Sequence, residues 1–187
     1  DTKEGKQYLH WMQLSMDFAR ENREKMLLAV KAILEKWIGK YTDLQLEFAG
    51  DINCHHNYAA LENHFGKNVW VHRKGAVRAG NGELAVIPGA MGSYSYVVMG
   101  KGNPDSFCSS SHGAGRQYSR KGAMQAFTCE EVILDLQKTG VILGKKNKSD
   151  VAEESRFAYK NIEEVMDNQT DLVVPVKRLK TIGVVKG

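Results

Sequence analysis

The sequence predicts an α+β fold with a long amino-terminal helix, several shorter helices and short antiparallel strands. Three observations lead to this prediction. The amino-terminal segment repeats apolar residues at three- and four-residue steps, the middle of the chain alternates short β-rich segments with Gly and Pro turns, and the remainder returns to short helical patterns. The sequence has no internal repeat and no low-complexity tract.

Length and composition indicate one ordinary globular domain. The chain has 187 residues, and we expect residues 1–187 to form a single domain. No apolar run approaches the roughly 18 residues of a membrane span, and the amino end lacks a signal-peptide pattern. Cys54, Cys108 and Cys129 lack a CxxC spacing, which favours free thiols. We therefore expect a cytoplasmic protein without a membrane partner.

The amino-terminal segment predicts a long helix from residue 4 to about residue 38. Its apolar residues, among them Trp11, Phe18 and Trp37, recur at helical spacing, and Gly39 is expected to close the helix. We expect this apolar stripe to pack in the core, and we assign it no chemistry.

Three shorter helices are predicted further along the chain. Residues 57–65 are expected to form the first. Thr128 and Glu131 have the spacing of a capping box, which predicts a helix through Lys138. A last helix, around residues 161–167, precedes the terminal strand.

Strands are predicted where the period of the pattern changes and Gly or Pro turns intervene. The turns Gly80-Asn81-Gly82 and Pro88-Gly89 indicate a hairpin or a meander. Residues 145–149 are expected to form a solvated loop. The predicted strands span residues 68–79, 83–87, 93–99 and 172–186.

The net charge of +4 is unevenly distributed along the sequence. Residues 66–80, 106–129 and 172–187 contain no acidic residue and carry four, three and four Lys or Arg residues. If these windows converge in the fold, they form an anion-binding surface. Taken singly, each window is also compatible with an exposed strand or loop that bears solvated lysines.

Residues 106–120, SFCSSSHGAGRQYSR, are the most informative segment. His112 lies between small serines and a Gly-Ala-Gly turn, whose backbone amides can approach a phosphate. Arg116 and Arg120 would share one face if this turn opened a helix. A neutral imidazole in such a cradle can be a metal ligand, a proton shuttle or a nucleophile. The alternative is a Gly-rich turn whose histidine only bonds the backbone.

Two other segments carry weaker signals. In Cys54-His55-His56-Asn57 the adjacent histidines diverge, so that at most one faces a given site, and one ligand does not make a metal site. The Gly-rich link at residues 87–95 lacks the GK[ST] of a P-loop and the GxGxxG of a dinucleotide fold. It is therefore either part of a nucleotide pocket or a tight hairpin turn.

Taken together, five motifs resemble those of RtcB-type RNA ligases, the tRNA-splicing and RNA-repair ligases. Their order and intervals make the resemblance specific, and it covers essentially the whole chain. It corresponds only to the carboxyl-terminal half of such an enzyme, and the first residue, Asp1, is compatible with a piece of a longer protein. The motifs are His56-Asn57, Arg73-Lys74-Gly75-Ala76, Pro88-Gly89-x-Met91-Gly92-x-x-Ser95, Ser109-x-x-His112-Gly113-Ala114-Gly115-Arg116-x-x-x-Arg120 and Lys186-Gly187.

The resemblance implies an RNA ligase that uses GTP and Mn²⁺ to join RNA with a 3′-phosphate or 2′,3′-cyclic phosphate to RNA with a 5′-hydroxyl. It implies that His112 is the nucleophile that takes GMP from GTP, and that His56 is a manganese ligand. Tyr159 would stack near the guanine and Lys186 would reach its carbonyl oxygen. The other residues implied to line the guanylate pocket are Asn57, Pro88, Gly89, Met91, Ser95, Ala114 and Gly115. The residues implied to hold RNA phosphates are Arg73, Lys74, Arg116 and Arg120.

The resemblance also implies that part of the metal site is missing from this sequence. In the family, an Asp and a Cys of a DxxC-type motif and two further histidines belong to the half that would precede Asp1. That amino-terminal half is thus an implied partner, beside the RNA. A second departure is Ala90, where the family often has serine and its hydroxyl contact. We expect the chain alone to form little His112-GMP.

Two other functions remain open from the residues. One is a nucleotide- or RNA-phosphate-binding module without catalysis, which complementation with the missing half would distinguish from a ligase. The other is a metal-dependent phosphohydrolase, indicated by His, Gly and Arg clustering alone. It predicts phosphate release from simple esters and no preference for guanine.

Overall fold

The computed structural model describes residues 2–144 and 150–185. The loop predicted at residues 145–149 and the predicted guanine contact Lys186 lie outside the described residues. Two compact units are distinguished, Asp1–Lys74 and Gly75–Gly187. The sequence-based expectation of one domain stays a prediction. The short helices and strands of the two units confirm the α+β class.

Helix α1, Lys3–Tyr41, confirms the long amino-terminal helix. It begins where the Thr2 side chain accepts a hydrogen bond from the Gly5 amide, and it runs through Gly39 rather than ending there. No residue of α1 is buried. The expectation that its apolar stripe packs in the core is wrong, since Trp11 and Phe18 are 56% and 74% exposed. The apolar spacing selects a helix, but it does not determine what covers the helix.

A β-hairpin replaces the helix predicted at residues 57–65. Strands β1, Asn57–His64, and β2, Lys67–Lys74, pair antiparallel, with Asn57 opposite Lys74 and His64 opposite Lys67. The turn between them has positive φ at both Phe65 and Gly66 (53° and 74°), as two-residue hairpin turns of one type require. The pairing with β2 is the reason that the local preference for a helix does not prevail.

The strand predicted at residues 68–79 is interrupted at Gly75, where φ is 76°. Beyond this glycine, β3, Ala76–Arg78, opens the second unit. It pairs antiparallel with β6, Ser109–Ser111. The interruption therefore directs the chain from one sheet into another, and it brings the predicted nucleophile segment beside β3.

A three-stranded antiparallel sheet lies at the centre of the second unit. Strands β4, Leu84–Ile87, and β5, Tyr94–Gly100, form the predicted hairpin, and β8, Val173–Lys180, adds to the far edge of β5. Ile87 and Val98 are completely buried in this sheet. The sheet fixes both ends of the Gly-rich link between β4 and β5.

The terminal strand predicted at residues 172–186 is divided into two. After β8 the chain turns at Thr181, whose hydroxyl donates to the Ser93 carbonyl over 2.8 Å. It then forms β9, Gly183–Val185, which pairs in parallel with β7, Ile142–Gly144. Each half of this terminal segment thus stabilises a different sheet.

The described residues of the second unit also form three short α-helices: α2, Arg120–Ala126, α3, Cys129–Thr139, and α4, Ile162–Asp167. The predicted capping box is present in α3, where the Glu131 amide donates to the Thr128 hydroxyl and the Glu131 carboxylate accepts from the Thr128 amide. Gly140 ends α3 with φ 75°. The described residues contain no helix that is long and apolar enough to cross a membrane.

We predict that Leu136→Ala destabilises the second unit by about 3 kcal/mol, because it opens a cavity in a packed core. Leu136 is 2% exposed and packs in a cluster with Val132, Val141 and Met91. Leu134 lies on the same helix and is 50% exposed, so Leu134→Ala is the matched control. Urea unfolding measures both changes, and equal losses in the two variants would contradict the assigned core.

Candidate functional site

The imidazole of His112 is held at the end of β6 by a backbone carbonyl. Its Nδ1 lies 2.7 Å from the carbonyl oxygen of Gly75, the residue just before β3. A carbonyl oxygen only accepts hydrogen bonds, so Nδ1 carries the proton and the lone pair of the neutral ring is on Nε2. This arrangement gives the predicted nucleophile a defined tautomer. The lone pair is on Nε2, the ring nitrogen that does not bond the Gly75 carbonyl.

Gly75 holds the His112 ring, and it is not among the residues predicted for the site. Its φ of 76° is one that side-chain-bearing residues rarely adopt. A Cβ atom placed there would lie 3.4 Å from Cε1 and 3.5 Å from Nδ1 of His112. The glycine within a β-rich segment was the available signal, because such a glycine often marks a close backbone approach.

A second residue outside the predicted set, Gln169, supports the histidine strand. It is 4% exposed, and its side-chain oxygen accepts a hydrogen bond from the Ser111 amide over 3.1 Å. Its side-chain nitrogen lies 3.3 Å from the sulfur of Met166. The amide of Ser111, the residue before His112, is therefore fixed by Gln169, which in turn contacts Met166 of α4. No local pattern in the sequence signals this contact.

The Gly-rich link between β4 and β5 packs against the turn that follows His112. The Ala114 amide donates to the Pro88 carbonyl over 3.2 Å, and the Gly89 amide donates to the Ser95 hydroxyl over 3.2 Å. A Cβ on Gly113 would lie 3.1 Å from the same Pro88 oxygen. Four residues predicted for the guanylate pocket therefore lie together beside the predicted nucleophile, although they come from separate motifs.

Met91, also predicted for this pocket, has a side chain in the hydrophobic core. It is 7% exposed and packs with Val132 and Leu136 of α3. Any contact that Met91 makes with a bound ligand in this arrangement therefore involves its backbone.

Arg116 and Tyr159 lie across from each other in an antiparallel bridge. The Arg116 guanidinium donates to the Glu153 carbonyl (2.6 Å) and to the Glu154 carboxylate (2.7 Å), and its Cζ lies 4.6 Å from the centre of the Tyr159 ring. The condition under which Arg116 and Arg120 would share a helix face is not met, because α2 begins only at Arg120. The charge of Arg116 is already paired with a carboxylate.

Tyr159 is tied to the same carboxylate. Its hydroxyl donates to the second oxygen of Glu154 over 2.7 Å. Burial, and then this hydrogen bond and the negative charge of Glu154, raise the pKa of Tyr159 to about 12. The predicted guanine-stacking ring is therefore held in its neutral form, with one face covered by Arg116.

The predicted site residues of the first unit lie at the open end of its hairpin. His56 directly precedes β1, and Asn57 pairs with Lys74 across the hairpin. His56, Asn57 and Lys74 are exposed. The neighbouring His55 is engaged differently, since Arg23 lies 3.4 Å from its Nδ1 and burial, followed by the charge of Arg23, lowers the pKa of His55.

Arg73, predicted to hold RNA phosphate, is 2% exposed in the structure. Its guanidinium donates to both carboxylate oxygens of Glu62, over 2.5 and 3.0 Å, and to the Tyr58 hydroxyl over 3.2 Å. His64 lies 2.9 Å from the same carboxylate. A phosphate contact by Arg73 requires this buried ion pair to open, whereas Lys74 is exposed without any such rearrangement.

Metal-ligating side chains do not cluster in the part of the chain that the structure describes. Within residues 2–144 and 150–185, no group of three or more His, Cys, Asp or Glu side chains is placed to hold a metal ion. The described ligands therefore do not by themselves form a manganese site around His56.

Comparison with known proteins supports one family. The chain matches the family model described as tRNA-splicing ligase RtcB over residues 1–187. It is 42% identical over 181 residues to the RNA-splicing ligase RtcB of Escherichia coli strain K12, a match that covers 95% of this chain and 42% of the relative. It is 35% identical to the tRNA-splicing ligase RtcB of Methanococcus maripaludis, over 100% of this chain and 43% of the relative. It is 34% identical to the RNA-splicing ligase RtcB of Mycobacterium tuberculosis, over 98% of this chain and 46% of the relative. The chain thus spans less than half the length of these curated relatives.

We predict that Gly75→Ala alters the surroundings of the His112 ring, because the strain of a side chain at φ 76° shifts the Gly75 carbonyl that holds Nδ1, and the new methyl group contacts the ring. Gly82 also has φ 76°, but a Cβ there meets nothing within 4 Å. Gly82→Ala therefore imposes the same backbone strain without the contact. Long-range ¹H–¹⁵N NMR should show the Nδ1-protonated tautomer in the wild type and in Gly82→Ala, and an altered ring signal in Gly75→Ala. A wild-type signal in Gly75→Ala would contradict the assigned contact.

We predict that the free energy of unfolding falls as pH rises from about 10 to about 12, in part because of Tyr159. In this range the unfolded chain releases the tyrosine proton while the folded chain retains it, so the stabilisation present below pH 10 is lost. Tyr159→Phe should reduce this slope, measured by urea unfolding at several pH values. Tyr118→Phe, at a 41% exposed ring, is the control, and a wild-type slope in Tyr159→Phe would refute the assignment.

Proposed function

Since the chain belongs to the RtcB family, we propose that it is part of an RNA ligase that transfers GMP from GTP through His112. The ligase joins RNA ending in a 3′-phosphate or a 2′,3′-cyclic phosphate to RNA with a 5′-hydroxyl. The observation that carries the proposal is the hydrogen bond from His112 Nδ1 to the Gly75 carbonyl. It supports an unprotonated Nε2, which a nucleophilic histidine requires.

In the first step, Nε2 of His112 attacks the α-phosphorus of GTP. The Nε2–P bond forms, the bond from this phosphorus to the bridging oxygen breaks, and pyrophosphate leaves. The ring becomes positively charged as its lone pair is used, and the Gly75 carbonyl 2.7 Å from Nδ1 stabilises that charge. The carbonyl thus both orients the nucleophile and favours the transition state.

In the second step, an oxygen of the RNA 3′-phosphate displaces His112 from the GMP phosphorus, which regenerates the neutral ring and gives an anhydride of RNA and GMP. The 5′-hydroxyl oxygen of the other RNA end then attacks the RNA phosphorus. GMP leaves, and the hydroxyl proton is released. A 2′,3′-cyclic phosphate must first be opened by water to give the 3′-phosphate.

The guanylate pocket that we propose includes the turn of Ala114 and Gly115 and the link that packs on it. Pro88, Gly89 and Ser95 contribute their backbone and hydroxyl groups. The Pro88 carbonyl accepts a hydrogen bond from the Ala114 amide of that turn, and the Ser95 hydroxyl accepts one from the Gly89 amide within the link. Tyr159, held neutral by Glu154, offers an aromatic surface for guanine. The family resemblance adds Asn57, Met91 and Lys186 to this pocket.

RNA phosphates would be held first by the exposed cations Lys74 and Arg120. Arg73 and Arg116 are also assigned to RNA by the resemblance, but each is paired with a glutamate in the structure. Their contribution would require exchange of that carboxylate for a phosphate oxygen. We therefore expect Lys74 and Arg120 to contribute more to RNA affinity than the two paired arginines.

We propose that manganese completes the active ligase and that His56 is one of its ligands. When bound, the metal would supply Lewis-acid stabilisation of phosphate charge. The described residues do not provide a full ligand set, so we propose that the amino-terminal half of the enzyme supplies the rest. The cytoplasm is the proposed site of action, in keeping with three cysteines that are not joined in disulfide bonds.

The proposal predicts that this chain ligates RNA once the rest of an RtcB enzyme is supplied. We would join it to the part of the E. coli relative that the match does not cover, and incubate the chimera with GTP, Mn²⁺ and two RNA ends. Ligated RNA and a GMP adduct should form, whereas the 187-residue chain alone should give little adduct. Intact-mass measurement reports the adduct, and gel electrophoresis reports the ligated RNA.

His112→Ala in the chimera should abolish both products. His72→Ala, at an exposed histidine of β2 without a proposed role, serves as the matched control and should retain both. A GMP adduct that persists in His112→Ala would refute His112 as the nucleophile. An inactive chimera that binds GTP and RNA would favour a binding module without catalysis.

A further inference from the structure

A basic cavity of about 300 Å³ lies on the second unit, between the end of α3 and the edge of the central sheet. Its walls come from four separate parts of the chain: the Gly-rich link with the start of β5, the end of α3 with Val141 beyond it, Arg156, and the end of β8 with the residue that follows it. Three side chains that line it are cationic, and no carboxylate of a described residue lines it. These cations are Lys138, Arg156 and Lys180.

Two of these cations have no ion-pair partner among the described residues, namely Lys138 and Lys180. Arg156 is paired through one terminal nitrogen with Asp135 over 2.6 Å. Even after this pair is counted, the cavity retains the charge of two lysines drawn from different elements. Cations brought together in this way repel one another, and a bound anion would relieve that repulsion.

The Nε of Arg156 provides a second, independent observation. This atom is buried and has no hydrogen-bond acceptor among residues 2–144 and 150–185. Buried donors of folded proteins are almost always paired, so this unpaired Nε leaves the Arg156 guanidinium with hydrogen-bonding capacity that its described neighbours do not meet. Gly92 leaves room for the arginine stem, because a Cβ there would lie 3.9 Å from the Arg156 Cδ and 3.3 Å from Leu136.

The carbonyl groups at the end of α3 do not compete for these cations. The Thr139 hydroxyl donates to the Asp135 and Leu136 carbonyls, both over 3.0 Å, and the Gly140 amide donates to Gln137. The helix end is thus capped by its own residues. The cationic groups are not required to satisfy these carbonyls.

The cavity suits a phosphate better than a nucleobase. Tyr94 is the aromatic residue of its lining, and the guanidinium of Arg178 lies 3.6 Å from the centre of that ring. Stacking of a base on that face is therefore blocked. The terminal groups of Lys138 and Lys180 belong to exposed residues, as is usual for side chains that contact the backbone of a long polyanion.

From these observations we infer that the cavity binds a backbone phosphate of the RNA substrate. The inference rests on the proposed RNA-ligase function and adds a subsite to it. The cavity shares Gly92, Ser93 and Tyr94 with the link that carries the proposed guanylate pocket. A phosphate held there would position the RNA strand relative to that link, through charge and without reading its sequence.

The test uses the 187-residue chain with a fluorescein-labelled 12-nucleotide RNA ending in a 3′-phosphate, followed by anisotropy over a range of salt concentrations. Lys138→Gln/Lys180→Gln should weaken RNA binding about tenfold at low salt. The slope of log affinity against log salt should become shallower by about 0.7 for each phosphate that the variant no longer neutralises. Arg156→Lys, which keeps the charge but lacks Nε, should weaken binding about threefold.

Lys6→Gln/Lys36→Gln removes the same charge from exposed positions of α1 and should leave RNA affinity within twofold of wild type. Binding of a fluorescent GTP analogue tests whether the cavity holds a phosphate of the nucleotide instead of one of the RNA. This binding should be unchanged in the cavity variants. Circular dichroism melting confirms that each variant is folded.

Four results would overturn the inference: no RNA binding by the wild-type chain, unchanged RNA affinity in the cavity variants, an equal loss in the α1 control, or an equal loss of affinity for the GTP analogue. Failure of the ligase proposal is seen separately, in the His112-dependent adduct of the chimera. The cavity variants should leave that adduct intact.

Discussion

The hydrogen bond between His112 Nδ1 and the Gly75 carbonyl is the interaction on which the proposed chemistry depends. It selects the tautomer and points Nε2 away from the Gly75 carbonyl. In the proposed reaction this carbonyl would accept a hydrogen bond from a ring that gains positive charge. The residue that supplies this carbonyl has a φ of 76°, which residues with a side chain rarely adopt, and this explains a glycine directly before β3. Gln169, which follows α4, accepts a hydrogen bond from the Ser111 amide and so supports the strand that precedes His112.

The cations of the protein have two kinds of surroundings. Arg73 and Arg116 are each held by a glutamate and an aromatic ring, so their charge is largely used within the fold. Lys138 and Lys180 belong to exposed residues and line a cavity without a carboxylate among its described walls. A paired guanidinium positions its neighbours, while an unpaired ammonium group remains available to phosphate. Net charge alone therefore does not indicate where RNA would bind.

The elements that sequence patterns predicted correctly are those whose signals are local. The α3 capping box involves Thr128 and Glu131, three residues apart, and the β4–β5 hairpin is bounded by its own turn. The strand Asn57–His64 was mistaken for a helix, because its conformation depends on pairing with β2. The apolar stripe of α1 correctly indicated a helix but not its exposure, since burial depends on residues distant in the sequence.

The sequence by itself determined the family motifs, the identity of the candidate nucleophile and the clustering of cations along the chain. The tertiary structure alone decided that Gly75 anchors His112, that Arg73 is buried against Glu62, and that Arg116 lies outside α2. These outcomes depend on contacts between residues far apart in the chain and on the cost of burying charge without a partner. A local pattern specifies which groups are present, whereas the fold selects the partner that each group meets.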